Sequence, residues 1–515
     1  MVRREDRLKG LLAAGLMLLV LCVLTVAAHG AGPEQWFENG RRAVEAAKRL
    51  RQVRRRAKNV ILFIGDGMGV STVTAARILE GQLRGNSGEE NLLSFERLPY
   101  VALSKTYNTN QQVPDSAGAM TAMVTGVKTK AGLIAVNQNV VRGDYSTVSG
   151  NELTTIVELA EEAGMSTGVV TTARITHATP AATYAHSPER NWEDDRDLPA
   201  DAKAADFPDI ARQLIEFPYG DGLEVALGGG RRSFLPATMP DPEYPDLTGE
   251  RDDGRNLAGE WLDRYPFSEY VWNKAQFDAV DPYDTEHLLG LFEPSHMKYE
   301  YDRSSDAAGE PSLSEMTSKA LDILSRNEKG FLLMVEGGRI DHAHHAGNAF
   351  RALTETIEFS NAVETALDRV DLKETLVIVT ADHSHAFTMS GYPTRGNDIL
   401  GKVVGNDGRG EPSADYATDS GGLPYTTLGY ANGPGYIPGE RPDLSSVDTA
   451  SADYRQEAAV PMRSETHSGE DVAIYAGGPG AYLLHGVQEQ NVIYHVIEEA
   501  LRRGGSESKG RHVGR

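Results

Sequence analysis

The chain has 515 residues, 40% of them hydrophobic and 24% charged, which is the balance of a globular protein long enough to bury a substantial core. Its formal net charge of −23 argues against a nucleic-acid partner and for high solubility. The same charge repels anionic substrates at long range, so any phosphate site must make its own positive field from metals or arginine.

Arg3, Arg4, Arg7 and Lys9 precede an apolar run over residues 11–28 and then the small-residue stretch Ala27-Ala28-His29-Gly30-Ala31. This order is that of a secretory signal peptide over residues 1–30, with an uncleaved anchor as the alternative because the apolar run is long. The sole cysteine, Cys22, lies inside the run, and Leu21 before it is not the small residue that a lipoprotein site wants. The expected product is exported, periplasmic or extracellular, free of disulfides and without a stable membrane anchor; residues 502–515 form a polar C-terminal tail.

Residues 34–56, rich in Ala, Glu, Arg and Leu, read as a mostly polar amphipathic helix, either a solvated leader or a contact for a partner subunit. Asn59-Val60-Ile61-Leu62-Phe63-Ile64 is a buried strand that ends in Gly65-Asp66-Gly67-Met68-Gly69. Sheets of alternating strands and helices carry ligand groups at such strand ends, although Asp66 also suits a plain turn. A helix over residues 71–80 follows.

Pro114-Asp115-Ser116-Ala117-Gly118 opens an apolar, small-residue helix. Ser116 reads either as its N-cap or as a nucleophile at the positive end of the helix dipole. No G-x-S-x-G elbow accompanies it, so activation by a metal is the catalytic alternative to a triad. Residues 151–162 read as a helix and residues 166–172 as a strand, followed by a loop with His177 and Thr179; Arg190 is a candidate fork for two phosphate oxygens.

Residues 228–313 and 398–462 are rich in Gly, Pro and Asp and read as two inserted surface regions outside the sheet core. Between them, a helix over residues 313–327 leads to the apolar run Phe331-Leu332-Leu333-Met334-Val335 and then Glu336-Gly337-Gly338-Arg339-Ile340-Asp341-His342-Ala343-His344-His345. A helix starting here puts Asp341 and His345, four apart, on one face where both can grip one ion. The alternative is a strand end with a polar, His-rich loop. After a helix over residues 349–367, the strand Leu376-Val377-Ile378-Val379-Thr380 runs into Ala381-Asp382-His383-Ser384-His385, and Glu465-Thr466-His467-Ser468-Gly469-Glu470-Asp471 precedes a last strand from Val472 and a helix over residues 492–501.

Strands that end in Asp, Glu, His or Ser loops, with helices between them, imply a doubly wound, mainly parallel α/β sheet with its site along one edge. His-plus-carboxylate sets suit zinc, and carboxylate-plus-hydroxyl sets suit magnesium.

The five motifs around Asp66, Ser116, Glu336 to His345, Asp382 to His385 and Glu465 to Asp471 together resemble the alkaline phosphatase family, closer to its animal-type members, from residue 34 to residue 501. The catalytic domain is expected over residues 57–501. The resemblance implies hydrolysis of phosphate monoesters with broad specificity and an alkaline optimum, through a phosphoserine on Ser116. It implies that Asp341, His345 and His467 hold one Zn2+, that Asp66, Asp382 and His383 hold a second, and that Asp66, Thr179 and Glu336 hold a Mg2+. It places His177 near that third metal, where other members carry an acidic residue, and makes Arg190 the phosphate clamp. His342, His344 and His385 match positions behind the ligands. A Ca2+ site is implied at Glu243, the Phe292 backbone, Glu293 and Glu310, and a homodimer is implied with the residue 34–56 helix reaching to the other subunit. Asp115-Ser116-Ala117 argues against a sulfatase or a diesterase of the same superfamily.

Overall fold

The computed structural model describes residues 32–502. The residues of the signal segment, Cys22 among them, and almost all of the C-terminal tail lie outside the described residues. Among the described residues no helix is long and apolar enough to cross a membrane.

Residues up to Gln52 form a unit of their own. Its helix, Pro33–Arg49, starts with proline at its N-terminal end, where the missing N–H costs nothing, and none of its residues is buried. Glu38 pairs with Arg41 and Arg42, and Glu45 with Lys48, which supports an exposed helix. It stops at Arg49, short of the expected residue 56.

The second unit is built on a ten-stranded sheet. In spatial order its strands are Gly486–Glu489, Tyr100–Lys105, Val472–Gly477, Thr375–Ala381, Asn59–Gly65, Phe331–Gly337, Ser166–Arg174, Val225–Gly229, His287–Leu291 and Ser268–Val271. Only Val472–Gly477 runs antiparallel to its neighbours. The central strands are buried throughout and mostly apolar, because both faces are covered. Val60, Leu62 and Ile64 face one core, shared with the Ser116–Thr125, Ile156–Glu162 and Val492–Arg502 helices. Ile61 and Phe63 face the other, shared with Val70–Leu83, Leu313–Leu324 and Ala349–Arg369. The two-residue repeat of a strand thus feeds two layers at once.

Two expectations change. The helix expected from residue 151 begins at Ile156, because Thr155 caps it: the Thr155 hydroxyl accepts from Glu158 N–H at 3.1 Å and the Glu158 carboxylate accepts from Thr155 N–H at 2.9 Å. Residues 228–313 are not wholly outside the sheet, since Ser268–Val271 and His287–Leu291 extend it, the latter pairing with Val225–Gly229 through buried leucines. Tyr100–Lys105, a strand with no counterpart among the expected elements, alternates between buried and exposed positions and takes its place by pairing with Val472–Gly477. Leu428–Gly433 and Ala458–Pro461, both within residues 398–462, join Phe387–Met389 in a separate three-stranded sheet.

Candidate active site

Register brings the site together. Ile64 lies beside Glu336 on one side and Thr380 on the other, and Thr171 lies beside Glu336 on the next strand. Asp66, Glu336 and Asp382 therefore emerge at the C-terminal ends of three adjacent parallel strands, all fully buried. Gly67 makes the turn possible: its φ is +68°, and a Cβ there would sit 2.4 Å from the His385 ring.

Asp341 lies on the Arg339–His345 helix, and its Oδ1 is 3.3 Å from His345 Nε2, 3.3 Å from His467 Nε2 and 2.8 Å from His385 Nε2. The two nitrogens of His345 and His467 are themselves 3.1 Å apart. Burial works against the Asp341 carboxylate, but His345, His385 and His467 outweigh it and hold the group well below its usual range.

A second group joins Asp66, Asp382 and His383, with His383 Nε2 at 3.5 Å from Asp66 Oδ1 and 3.3 Å from Asp382 Oδ2. Burial first, and the neighbouring carboxylates next, push Asp66 far above its normal value. A third group joins Asp66, His177 and Glu336. Glu336 accepts a hydrogen bond from Thr171 Oγ1, and burial pushes its carboxyl up to about 8.

These groups fit cations by a direct test. Both oxygens of Asp66, Oδ2 of Asp382, Oε1 of Glu336, Oγ1 of Thr179, Nδ1 of His177 and Nδ1 of His383 are buried and have no hydrogen-bond partner within the protein. Leaving so many acceptors dry is costly unless cations satisfy them. The imidazole-rich groups suit zinc, and the carboxylates with Thr179 suit a harder ion.

Ser116 begins its helix, with Asp115 as the N-cap accepting from Gly118 N–H at 3.1 Å. The capping reading of Ser116 is thereby replaced, because the cap is its neighbour. Ser116 Oγ is free to point at the second group, 3.3 Å from His383 Nε2. Arg190 donates to Asp115 Oδ2 at 3.1 Å and lies 3.2 Å from His177 Nε2.

A profile of the alkaline phosphatase family matches residues 57–503. This chain belongs to the alkaline phosphatase family. It is similar to the tissue-nonspecific alkaline phosphatase isozyme of Felis catus, 48% identical over 477 residues that cover 91% of this chain and 88% of the relative. The alkaline phosphatase of Gadus morhua is 47% identical over 91% of this chain and 97% of its own length. Among solved structures, the Thermus thermophilus alkaline phosphatase matches with a TM-score of 0.62 and 26% identity, covering 89% of this chain and 94% of that one. The chain is an alkaline phosphatase enzyme that hydrolyses phosphate monoesters, and its α/β fold is that of the family.

Two residues of the site carry no signal of their own in the sequence. Glu465 is buried and holds His385 Nδ1 at 2.5 Å and Ala386 N–H at 2.6 Å, while its backbone carbonyl accepts from His345 Nδ1 at 2.5 Å. It orients two histidines at once, and only its place two residues before His467 hints at this. Thr171 reads as a strand residue, and only register puts it on Glu336. Away from the main site, Glu243, Glu293 and Asp306 form a further acidic group. Asp306 is not among the residues expected there; Glu310 Oε1 accepts from Lys298 N–H at 2.8 Å, and its Oε2 is buried without a partner. Phe292, which precedes Glu293, is fully buried.

Proposed function

We propose that this alkaline phosphatase works through Ser116 with two Zn2+ and one Mg2+ per subunit. The observation that carries the reading is the Ser116 hydroxyl, at the start of its helix, 3.3 Å from His383 in a group whose carboxylate oxygens have no protein partner. Asp341, His345 and His467 would hold one zinc, Asp66, Asp382 and His383 the other, and Asp66, Glu336 and Thr179 the magnesium, with His177 beside it. When bound, these ions supply positive charge to the phosphoryl group and lower the pKa of a hydroxyl or water that they hold.

The protein's own groups do the rest. Ser116 Oγ attacks phosphorus, the bond from phosphorus to the alcohol oxygen breaks, and water then displaces the serine oxygen to release phosphate. The N-terminus of the Ser116–Thr125 helix favours the negative charge that builds there. Arg190, braced by Asp115, presents its guanidinium to phosphoryl oxygens. Recognition that stops at the phosphoryl group supports broad specificity, and a serine that must lose its proton supports an alkaline optimum. We also assign Ca2+ to the group of Glu243, Glu293 and Asp306, where Glu243 Oε1 and both Asp306 oxygens are buried without partners, with the Phe292 backbone and Glu310 alongside. Export and a homodimer, with the Pro33–Arg49 helix as a contact, complete the proposal.

A Ser116→Ala variant tests it. The variant should lose at least a thousandfold in aryl phosphate hydrolysis while keeping its zinc, and wild-type protein quenched in acid during turnover should carry phosphate on Ser116. Equal rates for the two proteins would end the covalent reading.

A further inference from the structure

Asp115 is the most heavily bonded carboxylate near Ser116. Its Oδ1 accepts from Gly118 N–H at 3.1 Å and from Asn108 Nδ2 at 3.0 Å, and its Oδ2 accepts from Gly132 N–H at 2.8 Å and from Arg190 Nη1 at 3.1 Å. Two donors on each oxygen leave the carboxylate one orientation. Three of those donors are a helix turn, a loop backbone and the guanidinium being held. The fourth, Asn108, is the only one that belongs to a neutral side chain.

Asn108 is 3% exposed and is held by its own backbone, with its N–H donating to Gln111 O at 3.0 Å. The turn it starts is tied to the next loop, since Thr109 N–H donates to Thr129 O at 2.9 Å and Ala131 N–H to Asn110 Oδ1 at 2.9 Å. Its amide rests on Gly118, where a Cβ would come within 2.6 Å of Asn108 Oδ1. Gly118 is therefore the residue that admits Asn108 to the carboxylate. A carboxylate can only accept, so the amide must present its nitrogen.

We propose that Asn108 is a positioning residue for phosphate binding, acting through Asp115 on Arg190. The proposal rests on the reading of Arg190 as the phosphate clamp. Without the Asn108 donor, Asp115 Oδ1 keeps only Gly118 N–H, and the carboxylate plane is held less firmly. The Arg190 fork, whose other nitrogen lies 3.2 Å from His177 Nε2, is then less firmly set in its plane, and a bidentate contact depends on that plane. Monoester and free phosphate both bear the oxygens that Arg190 meets, so both weaken together. The chemical step at Ser116 changes less, because the Gly118 and Gly132 N–H groups still hold Asp115 from the backbone.

The test uses the metal-loaded enzyme with Asn108→Ala and Asn108→Leu, the latter keeping volume over Gly118 while removing the donor. Each is made in the wild-type and in the Arg190→Ala background. KM for an aryl phosphate, the inhibition constant of inorganic phosphate, kcat, melting temperature and zinc content are measured. Loss of one charge-assisted hydrogen bond should raise KM and the phosphate constant roughly tenfold in both variants, with kcat within about threefold. In the Arg190→Ala background the same substitutions should add less than about twofold, since the two residues act in series. A full effect persisting without Arg190, or a fall in kcat with phosphate binding unchanged, overturns the proposal alone. An Arg190→Ala enzyme that binds phosphate like wild type overturns the clamp reading, and the proposal with it.

Discussion

Glu161 and Glu224 share the N-terminal end of the Ser166–Arg174 strand, the opposite end from the metal-type groups. Glu161 Oε1 accepts from Thr167 Oγ1 at 2.6 Å, and Glu224 Oε2 accepts from Thr167 N–H at 2.6 Å, but Glu161 Oε2 is buried with no partner. Burial first, and the Glu224 charge next, push the Glu161 carboxyl from 4.5 up to about 9; burial pushes Glu224 up to about 7. A carboxyl whose folded pKa is raised binds a proton that the unfolded chain has released. Its contribution to stability therefore declines as pH climbs from 4.5 towards 9. At ~1.4 kcal/mol per pKa unit, the penalty at pH 8 has an upper limit on the order of 5 kcal/mol. Because the proton is shared with Glu224, which ionises more easily once its neighbour is neutral, about 2 kcal/mol is the gain expected from Glu161→Gln. The Gln oxygen still accepts from Thr167, so the geometry is kept. Melting curves at pH 5 and pH 8.5 measure the effect. The variant should melt with the wild type at pH 5 and about 2–4 °C above it at pH 8.5, with kcat unchanged at both. A variant that tracks the wild type at both values, or gains only at pH 5, refutes the reasoning.

Chelation should lower the melting temperature more at pH 9 than at pH 6. Buried Glu336, pushed up to about 8, keeps its proton at the lower pH but must carry unpaired charge at the higher one, and burial raises its neighbour Asp66 in the same direction. Zinc and magnesium together should restore both stability and activity; a chelated protein with an unchanged melting point at pH 9 would contradict the ligand assignment. His177→Asp should raise Mg2+ retention after dialysis several-fold, because it replaces an imidazole with a third carboxylate beside Asp66 and Glu336. Metal analysis that shows no change in magnesium would place residue 177 outside the third group.

Much of the site was legible in the chain because its chemistry is written in local runs. An apolar strand followed by an acidic turn, as at Asp66 or Asp382, marks both the element and a candidate ligand, and the i, i+4 spacing of Asp341 and His345 survives as a helix face. The clustering of residue types at strand ends pointed to metals before any distance was known. Chain order alone could not say which ligands meet. Asp341 needs His467, 126 residues later, for the 3.3 Å contact between them, and that contact exists because neighbouring strands and loops converge at one sheet edge. Asp306, which carries no signal in the sequence, is brought beside Glu243 and Glu293 only by the fold. Tyr100–Lys105 and Ser268–Val271 are strands because partners were available to pair with, not because their own residues insist on it. Thr171, Glu465 and Asn108 act through positions that only register and loop packing assign, since one hydroxyl, carboxylate or amide looks like any other until its neighbour is in place. Residue type and short-range spacing determined the chemistry of this enzyme, and the sheet determined which residues share it.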